Sequence, residues 1–571
     1  MNFLMKQLTL FIIAICCSCF AYGANLNLTN ERSDAIRQSQ NQLLTQPFGQ
    51  FKQEVKPAGT IELQRTEKTT AKKAVDELEF EIYTIEVIGN TALDPDILKV
   101  QFDKYIGVKT SLFDLNQGIE ELNEKYRKLG YFLTKAVIPS QKITNGTLKI
   151  QIIEGYIQQI FVDGGNAEIQ SQVLEVLNPL VNIKPLDLAT VERKIMILNS
   201  FPGIAINSTL RQGAELGSTE MVVNVSQIAN SYSVSTNNNA SYQIGPWFTS
   251  INATLNRVLN RNNQLSLLGT IAGDLQKYKV LNMKYLEPIG TTGLTGSLSY
   301  TKSASNPQGS LETLHIESSS DIFSPKISYP ITKSRYNSIT IDGGLNFSRS
   351  LTTIEGALYS FDKEMNYESN LTFINTNFMN GFSLMNLGFI KGIPGGNSID
   401  TEYASPSITG FDPNYSKVSF LLLRNQVISQ EWSASFGFNG QYTKDTLLAG
   451  NLIAFGGATI GRGYDNSIIS GDKGIGGFFE LRKDIPYQIP ELSKPIQIFS
   501  FIDSGTVSNN DNAVSGVVNS SASILSAGFG IRATLYNKVF LELQYARARS
   551  YYSTTDQRPN PRILFNGIVS F

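Results

Sequence analysis

The chain is poor in histidine, cysteine and charge, and it has no long apolar run. Of its 571 residues only His315 is a histidine, so a zinc centre or catalytic triad that draws on several histidines cannot be assembled. The three cysteines, Cys16, Cys17 and Cys19, sit together near the N-terminus, which leaves the rest of the chain without disulfide or thiol chemistry. Charged residues make up 17% of the chain, below the usual quarter, and the net charge is −1. No basic excess exists to meet phosphates, which argues against nucleic acid as a partner. Beyond the N-terminal segment no apolar stretch reaches the roughly eighteen residues of a transmembrane helix. No Walker motif is present and no nucleophile–base pair suggests itself, so no catalytic residue, metal or other cofactor is implied.

What fills the gap is Gly, Asn, Ser, Thr and Tyr, a composition suited to a β-barrel with a wet interior. The first 23 residues read as a signal peptide: Lys6 supplies a positive start, 8–17 a short apolar core, and Ala21 and Gly23 the small residues of a cleavage site. Region 24–50 is polar, with a thin-striped helix predicted over 30–46 from Asn30 as N-cap and Ile36, Leu43 and Leu44 as its apolar positions. Region 51–79 reads as a linker containing Pro57 and Gly59.

Two α+β units follow, over 80–155 and 156–230. In the first, a strand at 82–88 precedes a helical face of Leu115, Ile119, Leu122, Tyr126 and Leu129, closed by Gly130. Strands at 132–138 and 147–153 then flank an Asn145–Gly146 turn. The second unit repeats this order, with a strand at 160–164, a stripe of Leu188, Val191, Ile195 and Leu198, and strands at 204–210 and 220–225. Each unit is large enough for a small core.

From 231 to 571 the pattern alternates with period two. Trp247, Thr249, Ile251, Ala253 and Leu255 share one face, as do Leu281, Met283 and Tyr285 against Asn282 and Lys284. Segments of about ten residues that alternate apolar-out and polar-in are the mark of a membrane barrel. The last strand carries Ile563, Phe565, Gly567, Val569 and Phe571 on one face and ends in that aromatic residue.

Within this region lies an arginine framed by glycines: Gly456, Gly457, Gly461, Arg462, Gly463 and Tyr464. Glycine permits tight backbone approach. An Arg has five donors in a fixed fork and cannot lose its charge. Folded into a barrel it needs an acidic partner, and Asp503, in a strand-like run, can supply one.

Together these parts resemble the outer-membrane transporters of two-partner secretion, the hemolysin-activator and filamentous-hemagglutinin transporter family within the Omp85 superfamily. Tyr126, Arg127, Leu129, Gly130 and Tyr131, then Val137 to Gln141, and Glu154 with Gly155, look like the family's first polypeptide-transport-associated (POTRA) domain. Leu186 to Leu188, Glu192, Arg193 and Phe201 to Gly203 look like the second. Tyr285 to Pro288 and Tyr329 to Thr332 resemble its periplasmic turns, and Leu447 through Tyr464 with Glu480 its sixth extracellular loop and following strand.

The resemblance implies a sixteen-stranded antiparallel barrel in the bacterial outer membrane, preceded by two periplasmic POTRA domains and a plug helix. A long loop near 449–475 would fold inward and Arg462 would pair with Asp503. The implied activity is passage of an unfolded exoprotein, an adhesin, hemolysin or similar with an N-terminal secretion domain, from periplasm to cell surface. Barrel assembly machinery and outer-membrane lipid are the other implied partners. The runner-up within the superfamily is an outer-membrane protein assembly factor. One position departs from the family pattern: Gly461 stands where a β-branched residue is usual, which predicts a looser tip.

Overall fold

The computed structural model describes residues 61–63, 79–241, 243–396, 405–486, 490–510, 521–550 and 561–571. The signal peptide and the 30–46 helix lie outside the described residues.

The first α+β unit is organised by one amphipathic helix. Ser111 and Asp114 form a reciprocal capping box at the start of Leu112–Lys128, so two backbone donors are satisfied before the helix begins. Leu115, Ile119, Leu122 and Tyr126 recur at three- and four-residue steps and are buried against a sheet ordered Thr84–Ile88, Thr147–Ile153, Lys135–Val137. Asn145 and Gly146 both take positive φ, 54° and 69°, as a tight hairpin turn requires. Buried Tyr126 donates to Asn90 Oδ1 at 2.8 Å; burial, and then the charge of Glu154, raise the pKa of its phenol, which keeps it a donor. Glu154 accepts from Thr91 and Ala92 backbone nitrogens at 2.5 and 3.0 Å, so it braces its own unit. A further helix, Pro95–Phe102, has no counterpart in the expectations above, although Asp94 caps it and Pro95 opens it.

The second unit packs helices Ala167–Leu177 and Leu188–Leu198 on a sheet ordered Ile61–Leu63, Ile204–Gln212, Ser218–Gln227, Tyr156–Asp163. Ile61–Leu63 pairs in parallel with Ser208, Thr209 and Leu210. That corrects the reading of 51–79 as linker alone: three of its residues complete a sheet edge, because an unpaired edge strand leaves backbone donors and acceptors to satisfy. The two units also meet directly. Leu188 N donates to Gly130 O at 2.9 Å, and Phe132 and Leu133 pack on the second core.

Sixteen antiparallel strands then close a barrel running from Ser231–Asn237 to Arg562–Ser570. Closure removes every free edge, the condition for a sheet to cross a bilayer. The outer face carries the alternating apolar set: Ile251, Leu281, Met283, Leu298 and Phe529 are all exposed there. The seam pairs Ser233 to Asn237 with Ser570 to Asn566. It is lengthened by Asn238, which accepts from Phe565 N at 2.7 Å and donates to Ile563 O at 2.9 Å. Phe571 N donates to Tyr232 O at 2.9 Å.

The second α+β unit abuts the barrel turns that follow Ile289 and Lys333. Arg193 on Leu188–Leu198 donates both arms of its fork to Ile331 O and Pro330 O, each at 2.9 Å. Arg261 pairs with Glu168 at 3.3 Å, and Asn262 donates to Gln172 at 2.7 Å. This end of the barrel therefore carries the α+β units, the periplasmic end by the resemblance above, and the segment 444–472 is the sixth connection at the opposite end. Arg193→Ala removes two charge-assisted bonds. It is expected to broaden the distance distribution between spin labels placed on Leu188–Leu198 and on the 333–337 turn. A distribution as narrow as the parent's would show that the Arg261 and Asn262 contacts alone fix the joint.

Candidate functional site

The sixth connection does not project from the barrel; it turns back into it. Its base is a short hairpin, Ile453–Phe455 with Ile469–Gly471. Phe455 rests where two wall strands present no side chain: Gly476 and Gly505 face each other across the ladder, and a Cβ on either would lie 2.6 Å from the Phe455 ring. A second anchor holds the entrance. Asn451 Nδ2 donates to both oxygens of Glu364 at 2.8 Å, and Lys417 Nζ donates to Asn451 O at 3.0 Å. Asp472 accepts from Leu447 N and Asn510 N at 2.9 and 2.8 Å.

Gly456 and Gly457, with φ of 122° and 100°, let the chain fold back on itself, and Gly456 N donates to Ile460 O at 2.9 Å. Gly461 has φ 87°, and a Cβ there would lie 2.5 Å from Ile524 Cδ1 and 2.8 Å from Gly456 Cα. Its N–H donates to Asp503 Oδ1 at 2.6 Å. The expectation of a looser tip is therefore wrong for this chain: with only hydrogen at this Cα the tip reaches Asp503. Gly463 lies flat on the strand Val539–Ser550, where a Cβ would stand 2.5 Å from Ala548 N. Tyr464 Oη donates to Leu525 O at 3.2 Å.

Arg462 is 3% exposed. Its Nε lies 3.5 Å from Asp503 Oδ2, but its shorter ion pair is elsewhere: Nη1 donates to Glu480 Oε2 at 2.9 Å. The guanidinium also lies over Phe501, 3.9 Å from the ring centroid. Asp503 serves chiefly as a cap on the backbone of Gly461 and Arg462, with Ser526 donating to the same oxygen.

Glu480 is the hub that the sequence reading did not identify. It is 1% exposed and meets Arg462, Arg482 at 2.6 Å and Arg532 at 2.6 Å. Arg532 turns its Nε to Glu542 and lies 3.7 Å over the Phe499 ring. Three guanidiniums thus face three carboxylates, Glu480, Asp503 and Glu542, inside the wall. Each ring in turn lies across a glycine of the next strand: Gly528 under Phe501 and Gly530 under Phe499. The signal for this lattice was available. Phe478, Glu480 and Arg482 alternate on the polar face of Lys473–Ile485, and two opposite charges two residues apart on an inward face belong to a lumen network.

Every residue singled out in the loop, Gly457, Arg462, Gly463 and Tyr464, meets the wall or the loop itself, and Asp503 joins them. Phe571 lies apart, 70% exposed at the periplasmic seam. Among the described residues no group of His, Cys, Asp and Glu is arranged to hold a metal.

Residues 217–533 match the family model for the haemolysin secretion/activation protein ShlB/FhaC/HecB, and residues 80–155 match the ShlB-type POTRA domain. The heme/hemopexin transporter protein HuxB of Haemophilus influenzae (strain 86-028NP) is 20% identical over 492 residues, covering 84% of this chain and 85% of that protein. The hemolysin transporter protein HpmB of Proteus mirabilis is 23% identical over 473 residues, 78% of this chain and 77% of that one. The structure of CdiB from Escherichia coli superposes with a TM-score of 0.74 at 18% identity, covering 96% of this chain and 100% of that one.

Glu480→Gln leaves three buried guanidiniums with one carboxylate fewer, a change that costs about 3–5 kcal/mol where a buried pair is broken. Gly461→Val forces a β-branched residue into positive φ, at about 1–3 kcal/mol. Both are expected to release the loop tip and make Arg462 a trypsin site in barrels that remain folded by gel mobility. Resistance at Arg462 equal to the parent's would show that the entrance anchor alone holds the loop.

Proposed function

The chain belongs to the haemolysin secretion/activation protein family ShlB/FhaC/HecB, as an outer-membrane two-partner secretion transporter, and we propose that its lumen loop is the gate through which a secreted exoprotein passes. The observation that carries this is the buried Arg462–Glu480 pair at 2.9 Å. It joins a loop that occupies the lumen to the wall that a client must pass. A client cannot cross while that tip is docked.

The periplasmic units supply the entrance. A client that arrives extended can add as a strand to a POTRA sheet edge, where main-chain hydrogen bonds give affinity with little demand on sequence. Thr84–Ile88 and Lys135–Val137 are the outer strands of the first sheet, whereas the Ile204–Gln212 edge of the second already carries Ile61–Leu63. The first sheet thus offers two outer strands and the second only Tyr156–Asp163, which makes the first the better receiver. No nucleotide chemistry is required: folding of the exoprotein outside the cell opposes its return. The names of the relatives describe heme/hemopexin and hemolysin transport; we assign the client of this chain to the class of large secreted exoproteins with an N-terminal secretion domain.

Arg462→Ala is expected to abolish export of the exoprotein encoded nearest this gene, measured in the culture supernatant, at unchanged outer-membrane abundance. Arg462→Lys keeps the charge but loses the planar fork and the stack on Phe501, and should export at an intermediate level. Export by Arg462→Ala equal to the parent's would rule out the gate.

A further inference from the structure

The outer wall carries a charge pattern that secretion does not use. Five consecutive strands, Tyr278–Ile289, Leu294–Ser305, Glu317–Lys333, Asn337–Ile354 and Ala357–Asn375, form one side of the barrel. Across four of them Lys302, Asp321, Arg349 and Lys363 stand directly opposite one another in ladder register. Lys302, Arg349 and Lys363 are exposed, while the alternating Thr301, Ser303, Ser320 and Glu364 are buried towards the lumen. The charged row therefore faces outward. Lys279 on the fifth strand stands beside its start, exposed and opposite Ala304.

Directly on the periplasmic side of that row runs a second one. Tyr300, Phe323, Phe347 and Met365 are opposite one another, the three aromatic residues exposed and Phe323 and Phe347 stacked at 6.3 Å. From Asp321 to Ile331, at the periplasmic turn, is ten strand residues, which at the usual tilt is about 25 Å of height, the apolar band of a barrel. An aromatic row at that height marks the outer membrane–water boundary. The cations stand just above it, where lipid headgroups lie.

Four cations against one carboxylate is more than solubility requires, and charges facing lipid are otherwise unfavourable there. Asp321 is engaged by Tyr300 Oη at 2.6 Å and Lys302 at 3.8 Å. Arg349 lies 5.1 Å over the Phe361 ring. The next outward carboxylate on the Asp321 strand, Glu317, is four residues farther out. The row is three strand spacings wide, about 14 Å, enough to span a headgroup bearing more than one phosphate. We infer that this face of the barrel binds the phosphate groups of an outer-leaflet lipid, with Arg349 and Lys363 as the principal ligands, Lys302 and Lys279 flanking them, and the aromatic row seating the acyl chains.

The test uses the full chain in mixed micelles and native mass spectrometry, with diphosphorylated lipid A and its dephosphorylated form as probes. The parent is expected to retain the phosphorylated lipid, and K302Q/R349Q/K363Q to lose on the order of a hundredfold in affinity. D321N, which removes the opposing charge, should tighten retention by about fivefold, and R547Q, an exposed cation on another part of the wall, should leave it unchanged. Equal retention of the two lipids would overturn the inference. So would parent-like retention by the triple variant, a loss in R547Q matching that in the triple variant, or displacement of the lipid by equimolar inorganic phosphate, which would mark a site for soluble anions.

Discussion

One carboxylate shared by three guanidiniums sets the terms for the interior of this barrel. Glu480 cannot be satisfied by solvent, because it is almost wholly buried, and Arg462, Arg482 and Arg532 cannot be deprotonated away. A buried charge persists only when paired and hydrogen-bonded. The surrounding architecture follows from that requirement. Two phenylalanine rings give the guanidiniums a face to lie on, two glycines in the next strand give the rings room, and Asp503 and Glu542 complete the balance. The loop is thereby part of the wall's charge balance: its docking supplies the third cation, the one that the wall lacks.

Much of the fold was legible because it rests on periodicity. The helical stripe from Leu115 to Tyr126, the Asn145–Gly146 turn, the repeated α+β order and the alternation along the barrel strands were each legible from local pattern, whereas Leu129, read as the last residue of that stripe, caps the helix and is exposed. What was not legible depends on contacts between strands distant in sequence. Glu480 and Arg532 become neighbours only through barrel register. Gly461 illustrates the same limit from the other side. Read by itself, a glycine before the arginine loosens a loop; against Ile524 and Gly456 it is the residue that lets the tip close. The helices Pro95–Phe102 and Ala167–Leu177 have caps in Asp94 and Asn166 as the rules of helix initiation anticipate; the first is only eight residues long, too short for its stripe to stand out.

The periplasmic half is joined to the barrel through backbone carbonyls. Arg193 grips Pro330 O and Ile331 O at the point where the ladder shifts register between Pro330 and Thr332. The irregularity in the strand thus coincides with the acceptor pair used by the adjoining unit. The parallel pairing of Ile61–Leu63 with the Ile204–Gln212 edge uses the same currency, main chain to main chain, and makes one edge of the second sheet unavailable to other strands.

The glycine dents and the charge balance have a joint consequence once the loop is absent from its seat. The wall then holds two guanidiniums, Arg482 and Arg532, against three carboxylates, Glu480, Asp503 and Glu542. The lumen would become a weak cation trap whose reach in physiological salt is about 8 Å. A basic residue on a polypeptide threading past would linger at the place Arg462 had left, while acidic and apolar stretches would slip by. The transporter's own arginine would be the best-fitting occupant of that trap, so the passage would tend to reseal itself behind whatever has gone through.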